Sequence, residues 1–269
     1  MKKNKMIESS NITVVLPIHI WDEEVASMTE NAIKSIPEGA LKMVVCSPFV
    51  EKAMKKVYSD VEFIVVEDDT CFQNMVNKGV EAVKTEWFSV LEFDDEYAPN
   101  WFNNFAKYQE YNQQYNIYLP LNDIYNVEGG KDEFVGNGNE VAWASAFSDE
   151  LGVLDEKAIE DYFDFYLTGG IINTNTFRDL GGLKKSIKLT FWYEFLLRAA
   201  HKGEKVYVVP KVGYAHVIGR NGSLMANYRE TIDARESEFW FKTAKKVSYH
   251  KEDKEIVYTP KNESSDEED

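Results

Sequence analysis

The 269-residue sequence predicts an α/β fold in which helices cover both faces of a mostly parallel sheet. Short apolar runs that suit buried strands alternate with segments whose apolar residues recur at helical spacing, and this alternation favours parallel strands joined by helices. Hydrophobic residues make up 44% of the chain, which is enough for one sizeable core. Because α/β folds of this length are often one domain, we expect a single domain followed by a tail.

The first half of the chain shows this alternation most clearly. Its predicted elements are a strand at 12–17, a helix at 23–36, a strand at 41–46, a helix at 50–57, a strand at 61–66, a helix from Phe72 and a strand at 87–91. Such connections place the carboxyl ends of the strands at one edge of the sheet. Ligands bind at that edge in open α/β sheets.

The second half is less regular. Its predicted elements are a helix at 102–111, a strand at 117–121, an irregular loop at 127–139, a helix at about 189–202 and a strand at 205–209 that Pro210 ends. Residues 226–250 are predicted to form a helical extension. Residues 251–269 are predicted to be an acidic disordered tail, because charge and polarity dominate there.

An acidic motif follows the predicted strand at 87–91. Its carboxylates are Glu92, Asp94 and Asp95, which repel one another unless a cation lies between them. Hard oxygen ligands indicate Mg²⁺ or Mn²⁺, and either ion can keep positions open for the oxygens of a diphosphate. A solvated acidic turn is the simpler interpretation of the motif alone, but the apolar strand and the Asn-Lys-Gly helix before it favour a site.

The segment from Asn74 to Trp101 resembles the family 2 glycosyltransferases of the GT-A (Rossmann-like) fold. Their pattern is a helix with Asn-x-Gly, a strand, and a DxD-type motif followed by a tyrosine and a proline. The resemblance extends over roughly residues 11–220, although Glu92 replaces the first Asp of the motif. It implies a GT-A domain at 1–225, with a donor half at about 11–101 and an acceptor half at about 102–225.

In function, the resemblance implies a metal-dependent glycosyltransferase of the hexosyltransferase type. The donor would be a nucleotide-diphosphate sugar, and the hydroxyl acceptor a glycan, a protein or a small molecule. Its donor-binding residues would be Pro17, Ile18, His19, Ser47, Asn77, Glu92, Phe93, Asp94 and Arg220. Ser47 stands near the place where family members usually carry an acid that reads uracil, so the base stays open. His19 has the alternative of a loop histidine bonded to backbone.

The resemblance also places a metal and an acceptor. Asp94 and His216 would hold Mn²⁺ or Mg²⁺, and imidazole suits Mn²⁺ better. His216 has the alternative of a satisfied core histidine. Gly169, Gly170 and Trp192 would bind the acceptor, because glycines let a backbone approach a sugar closely. Turn chemistry is the alternative for the two glycines.

Catalysis is where the sequence departs most from the family. An inverting transfer needs a group that takes the proton of the acceptor hydroxyl, and the family's catalytic carboxylate aligns with Trp192. Glu194 is one catalytic candidate, although it also has the spacing of an i,i+4 ion pair with Arg198. Asp95, which would assist the metal, is the other.

Two other interpretations stay open. The first is a retaining mechanism, which does not depend on the missing carboxylate. The second is a GT-A scaffold that has lost turnover and binds within a larger assembly through its acidic tail and exposed aromatic residues at 239–241. The substitutions at the motif, at the base-reading position and at Trp192 motivate this second interpretation.

Composition restricts the partners and the location. A formal net charge of −16 makes a nucleic-acid partner unlikely, since such binding depends on Lys and Arg meeting phosphates. No run approaches the roughly 20 apolar residues that span a bilayer, and the amino terminus lacks the apolar region of a secretory signal. Cys46 and Cys71 fit a reducing compartment. We therefore expect a cytoplasmic protein, in a cell or an infected host cell, that is not secreted.

Overall fold

A computed structural model describes residues 7–130, 132–145, 147, 150–246 and 256–260. The first half forms the predicted β-α units, which are β1 (Ile12–Ile18), α1 (Glu23–Ser35), β2 (Leu41–Cys46), α2 (Pro48–Met54), β3 (Glu62–Val65), α3 (Phe72–Ala82) and β4 (Trp87–Val90). These four strands are parallel and lie in the order β3-β2-β1-β4. The carboxyl ends of β1 and β4 are therefore neighbours, as the alternation predicts.

The second half extends the same sheet. Its elements are β5 (Glu96–Tyr97), α4 (Trp101–Tyr111), β6 (Ile117–Asn126), β7 (Glu133–Gly138), β8 (Val153–Leu154), α5 (Glu156–Asp161), β9 (Ile171–Asn173), α6 (Thr174–Asp179), α7 (Phe191–His201), β10 (Val206–Ile218), α8 (Leu224–Thr231) and α9 (Ala234–Ala244). The short strand β9 runs antiparallel between β4 and β6, and β10 is parallel to β6. The sheet is thus parallel in its first half and mixed in its second.

Buried apolar clusters lie on both faces of the sheet. Alternate residues of β1 enter opposite clusters, as the two-residue period of a strand requires. Helices α1, α2 and α4 cover one face, with Val25 and Phe105 in its core. Helices α3, α5, α7 and α9 cover the other, with Val76 and Leu196 in its core. Helices on both faces leave the ends of the strands as the open edge.

Two sequence predictions about the second half are wrong. Pro210 does not end its strand, because β10 continues to Ile218. The pairing of β10 with β6 shifts between Val208 and Val212, and this bulge accommodates a residue without an N–H. The stretch at 127–139 is also not wholly irregular, since β7 pairs with β6. The side chains of β7 are mostly exposed, so no apolar alternation marks the strand.

The carboxyl-terminal extension is helical over its described part, where α8 and α9 lie. Trp240 on α9 is 1% exposed and packs in the core, and Phe239 and Phe241 are partly buried against it. Trp240 therefore offers no contact surface, and the two phenylalanines are only partly exposed. Residues 247–250 and most of the predicted tail lie outside the described residues. Among the described helices, none is long and apolar enough to cross a membrane.

Candidate active site

A cavity of about 590 Å³ opens at the carboxyl ends of β1, β4 and β10. Six stretches of chain line it, together with Phe241. They are Pro17 and His19 around the end of β1, residues 70–73 at the start of α3, Glu92 to Asp94 after β4, and residues 163–168, 189–193 and, without Asn221, 216–228 from the second half. The acidic motif thus faces residues that are far from it in sequence. This arrangement brings together the predicted residues Pro17, His19, Glu92, Phe93, Asp94, Trp192, His216 and Arg220.

Arg220 and Asp94 form an ion pair at the cavity. Arg220 Nε donates to Asp94 Oδ2 over 2.7 Å, and the two side chains are only 14% and 9% exposed. The guanidinium lies 5.0 Å from the ring centroid of Phe93, a cation–π contact that fixes its position further. Arg220 Nη1 donates to the carbonyl of Asn221, which leaves Nη2 without a partner among the described residues. A cationic donor is therefore held in the cavity with one nitrogen available.

Asp95 lies behind the cavity wall and orients His216. Asp95 is 1% exposed, its Oδ2 lies 2.9 Å from His216 Nδ1, and its Oδ1 accepts from the Val217 N–H over 2.8 Å. Burial opposes the charge on His216, but the Asp95 carboxylate outweighs it and, with Glu92 and Asp94, raises the pKa of the imidazole to about 9. His216 is thus an imidazolium at neutral pH. Asp95 acts by positioning and charging it.

Glu92 completes the charge balance of the site. Burial and the charges of Asp95 and Asp94 together raise the pKa of its carboxyl to about 8, against the opposing effect of His216 and Arg220. Its surroundings therefore favour the protonated form of Glu92. Asp94 is balanced by Arg220 and Asp95 by His216, so the cluster carries little net charge.

The donor atoms of the motif do not form a preassembled metal site. Asp94 binds Arg220, and Asp95 uses both oxygens within the protein. The described residues gather three ligand atoms within 4.8 Å only at Glu156, Glu160 and His201, on α5 and α7. The chemical types at Asp94 and His216 suit Mn²⁺ or Mg²⁺, but their arrangement does not fit such an ion. The metal therefore stays a prediction from the sequence.

Three predicted donor-binding residues lie elsewhere. The Ser47 hydroxyl accepts from the Val50 N–H and caps α2, outside the cavity. Asn77 bonds both backbone groups of Leu183 at 2.7 Å, so it fastens α3 to the loop before α7. The side chain of Ile18 is buried in the core. These residues stabilise the scaffold. The sequence alone could not show this role, because Ser47 bonds within the first turn of its own helix and Asn77 bonds a residue more than a hundred positions away.

Gly169 and Gly170 serve packing and do not line the cavity. A Cβ on Gly169 would collide with the ring of Tyr214, and one on Gly170 would meet the Leu167 carbonyl oxygen at 2.8 Å. The Gly169 carbonyl also accepts from Trp101 Nε1 over 2.7 Å. The close approach that requires these glycines is therefore to the protein itself. Their predicted role in acceptor binding is corrected accordingly.

Gly169→Ala is expected to lower the free energy of unfolding by at least about 2 kcal/mol, from left-handed backbone strain and overpacking together. Gly169 has φ +73° and a ring in the way. Gly129, with φ +70° and no neighbour within 4 Å, provides the matched control, because Gly129→Ala adds the strain alone. Urea denaturation of both variants measures the difference. Equal losses would show that the Tyr214 contact contributes nothing.

Glu194 is a structural residue of α7. Its side chain is 0% exposed, and its oxygens accept from Arg198 Nε at 2.8 Å and Nη2 at 2.9 Å. It does not line the cavity. The i,i+4 ion pair, which the sequence offered as the alternative, is what the fold uses. The catalytic role predicted for Glu194 is therefore corrected, because a base must reach the acceptor.

One wall of the cavity is aromatic. Trp192 lines it, and the indole Nε1 of Trp192, the hydroxyl of Tyr193 and the hydroxyl of Thr168 find no hydrogen-bond partner among the described residues. Asp164 lies in the same wall, a residue that sequence reasoning missed. It stands in an irregular segment between α5 and β9, where no periodic pattern marks it.

The architecture is a GT-A-like α/β fold, which confirms the predicted fold class. A crystal structure of S. aureus TarS 1-349 is similar over 77% of this chain and 60% of that one, with a TM-score of 0.55 and 14% identity. A structure of the same TarS fragment in complex with UDP-GlcNAc is similar over 80% and 60%, with a TM-score of 0.58 and 14% identity. The chain thus spans about 60% of the length of these structures.

Likeness at this identity establishes the fold alone. No protein-family profile matches the sequence, and no curated protein matches it. Membership of glycosyltransferase family 2 therefore stays a prediction. What the fold adds is that the cavity lies at the strand ends where the sequence places a donor site.

Proposed function

We propose that the protein transfers a sugar from a nucleotide-diphosphate sugar to a hydroxyl acceptor. The observation that carries this proposal is the cavity in which the acidic motif, Arg220 and His216 meet at the strand ends of a GT-A-like fold. A similar fold binds UDP-GlcNAc in a TarS structure, which supports a nucleotide sugar as the ligand class. The sugar, the base and the acceptor are for experiment to identify.

In this proposal Arg220 and His216 hold the diphosphate. Charge-assisted hydrogen bonds to phosphate oxygens are strong, and Arg220 Nη2 and His216 Nε2 have no partner among the described residues. As the bond between the sugar and the diphosphate breaks, negative charge grows on the leaving oxygen. Fixed cations near that oxygen stabilise the transition state more than the ground state.

Calorimetric titration with a panel of nucleoside diphosphates and their sugars tests the proposal. We expect at least one nucleotide sugar to bind the wild-type protein at a single site. Each titration is run with Mn²⁺ and with EDTA. Binding that EDTA abolishes would restore the predicted ion to the site, whereas binding that persists would show that protein cations hold the diphosphate.

The two cysteines give an independent readout of where the ligand binds. Cys71 lines the cavity and is partly exposed, whereas Cys46 is fully buried and burial raises the pKa of its thiol to about 12. Alkylation followed by mass spectrometry should modify Cys71, slowly, and the bound nucleotide sugar should protect it. A protein that binds no donor from the panel would instead support the scaffold without turnover.

A further inference from the structure

We propose that Asp164 is the general base that takes the proton of the acceptor hydroxyl. The inference rests on the proposed function, and it replaces the base that the sequence lacks at Trp192. It concerns a side chain that no sequence pattern marks. Three kinds of observation carry it: its place in the cavity wall, the hydrogen bonds and packing that hold its segment, and the contacts of the other carboxylates in the cavity.

Ring contacts fix the position of Asp164 between the two ends of the cavity. Just before it, the ring of Phe163 lies 4.8 Å from that of Phe241 and 6.5 Å from that of Tyr193, on the aromatic wall. Two residues after it, the ring of Tyr166 lies 5.4 Å from that of His216, on the diphosphate side. Asp164 therefore stands where an acceptor on the aromatic wall would meet a donor held by Arg220 and His216.

The segment that carries Asp164 is held rigidly. Asn139, in a left-handed conformation, accepts from the Tyr166 N–H and donates to the Tyr166 carbonyl, both over 2.9 Å. Phe165 is 7% exposed and packs in the core beneath the segment. A carboxylate on such a support keeps its direction, which general-base catalysis requires.

The other two carboxylates that line the cavity, Glu92 and Asp94, are less available to a substrate than Asp164. Asp94 is paired with Arg220, and Glu92 is only partly exposed and adjoins that ion pair on the diphosphate side. Asp164 has no hydrogen bond or ion pair with any described residue, and its side chain is exposed to the cavity. Among the described residues that line this cavity, Asp164 is thus the carboxylate whose oxygens are available to a substrate hydroxyl.

His19 is the rival base. Burial lowers the pKa of its imidazole, and Arg220 lowers it further, so His19 is neutral at pH 7 and could accept a proton. However, its ring lies against Phe93, beside Arg220, on the side where the diphosphate binds. A base there would face the leaving group, whereas the attacking hydroxyl arrives from the opposite side of the sugar.

The chemical step balances with Asp164 in this role. The acceptor oxygen attacks the anomeric carbon and forms the new glycosidic bond, while its proton passes to an Asp164 oxygen. The bond from the anomeric carbon to the phosphate oxygen breaks, and its electron pair leaves with the nucleoside diphosphate. Attack opposite the leaving group inverts the anomeric configuration.

The test uses release of nucleoside diphosphate from the nucleotide sugar that calorimetry identifies, with water and a panel of monosaccharides as acceptors. Asp164→Asn is expected to lower kcat/KM by about 10²- to 10⁴-fold, the usual contribution of a general base. Its donor affinity should match that of the wild type, and the acidic limb of its pH–rate profile should disappear. Asp164→Glu should keep part of the activity.

Asp161→Asn is the matched control, because Asp161 is an exposed aspartate on α5 that does not line the cavity. His19→Gln tests the rival. An Asp164→Asn variant that turns over at the wild-type rate, or a His19→Gln variant that alone removes the acidic limb, would overturn the assignment. Donor binding without turnover in the wild type would overturn it in favour of a scaffold, and absence of donor binding would overturn the proposed function itself.

Discussion

Arg198→Met is expected to lower the free energy of unfolding by about 3–5 kcal/mol, since it leaves a buried charge without its partner. Arg198 is 3% exposed, and besides Glu194 its guanidinium donates to the carbonyls of Leu180 and Gly182. Those carbonyls belong to the loop before α7, so the variant would loosen the helix and the loop together. Urea denaturation followed by circular dichroism measures the loss.

A double-mutant cycle separates the contribution of the Glu194–Arg198 ion pair from that of the hydrogen bonds between Arg198 and the loop carbonyls. Glu194→Leu combined with Arg198→Met removes both charges, and we expect the double variant to regain part of the stability that either single variant loses. Recovery is incomplete because the two loop carbonyls stay without donors. An Arg198→Met protein as stable as the wild type would contradict this account. A well-folded Glu194→Gln protein without transferase activity would return Glu194 to the catalytic residues.

Arg220→Met is expected to weaken the binding of nucleoside diphosphates by about 10- to 100-fold, as loss of a hydrogen bond to a charged group implies. Transfer should fall further, by about 10²- to 10³-fold, because charge on the leaving oxygen is greatest in the transition state. Methionine keeps much of the apolar stem of arginine, so the packing on Phe93 changes less than the charge. Calorimetry and the release of nucleoside diphosphate measure the two effects.

Lys185→Met is the matched control for net charge. Lys185 pairs with Asp69 at 3.1 Å, both side chains are well exposed, and neither lines the cavity. The variant loses the same unit of charge from a protein that is already strongly acidic, so any general electrostatic effect appears in both. If the two variants weaken binding equally, Arg220 does not contact the diphosphate.

The sequence predicted the features that depend on neighbouring residues. Regular alternation of apolar runs was sufficient to predict the strands and helices of the first half. The strand before Glu92 was sufficient to place the acidic motif at the sheet edge. These features follow from periodicity and from the direction of β-α connections. Pattern reasoning is strongest where structure is this local.

Features that depend on distant partners were harder to predict. Asn77 has the position of a donor ligand in the family pattern, yet Leu183 occupies its amide. The glycines at 169 and 170 could face either a ligand or the protein, and the ring of Tyr214 and the side chain of Leu119, respectively, show that they face the protein. Asp164 stands in an irregular segment whose direction is set by ring contacts and by Asn139. In each case the deciding neighbour comes from another part of the chain.

The ion pairs Asp95–His216 and Asp94–Arg220 determine how late in synthesis the cavity can form. Asp95 and Asp94 find their cations at His216 and Arg220, which follow them by 121 and 126 positions. During synthesis the acids leave the ribosome long before the cations that balance them. The first half, although it contains a complete parallel sheet, cannot act as a binding module in advance. The cavity becomes usable only when the last strand of the sheet has been added.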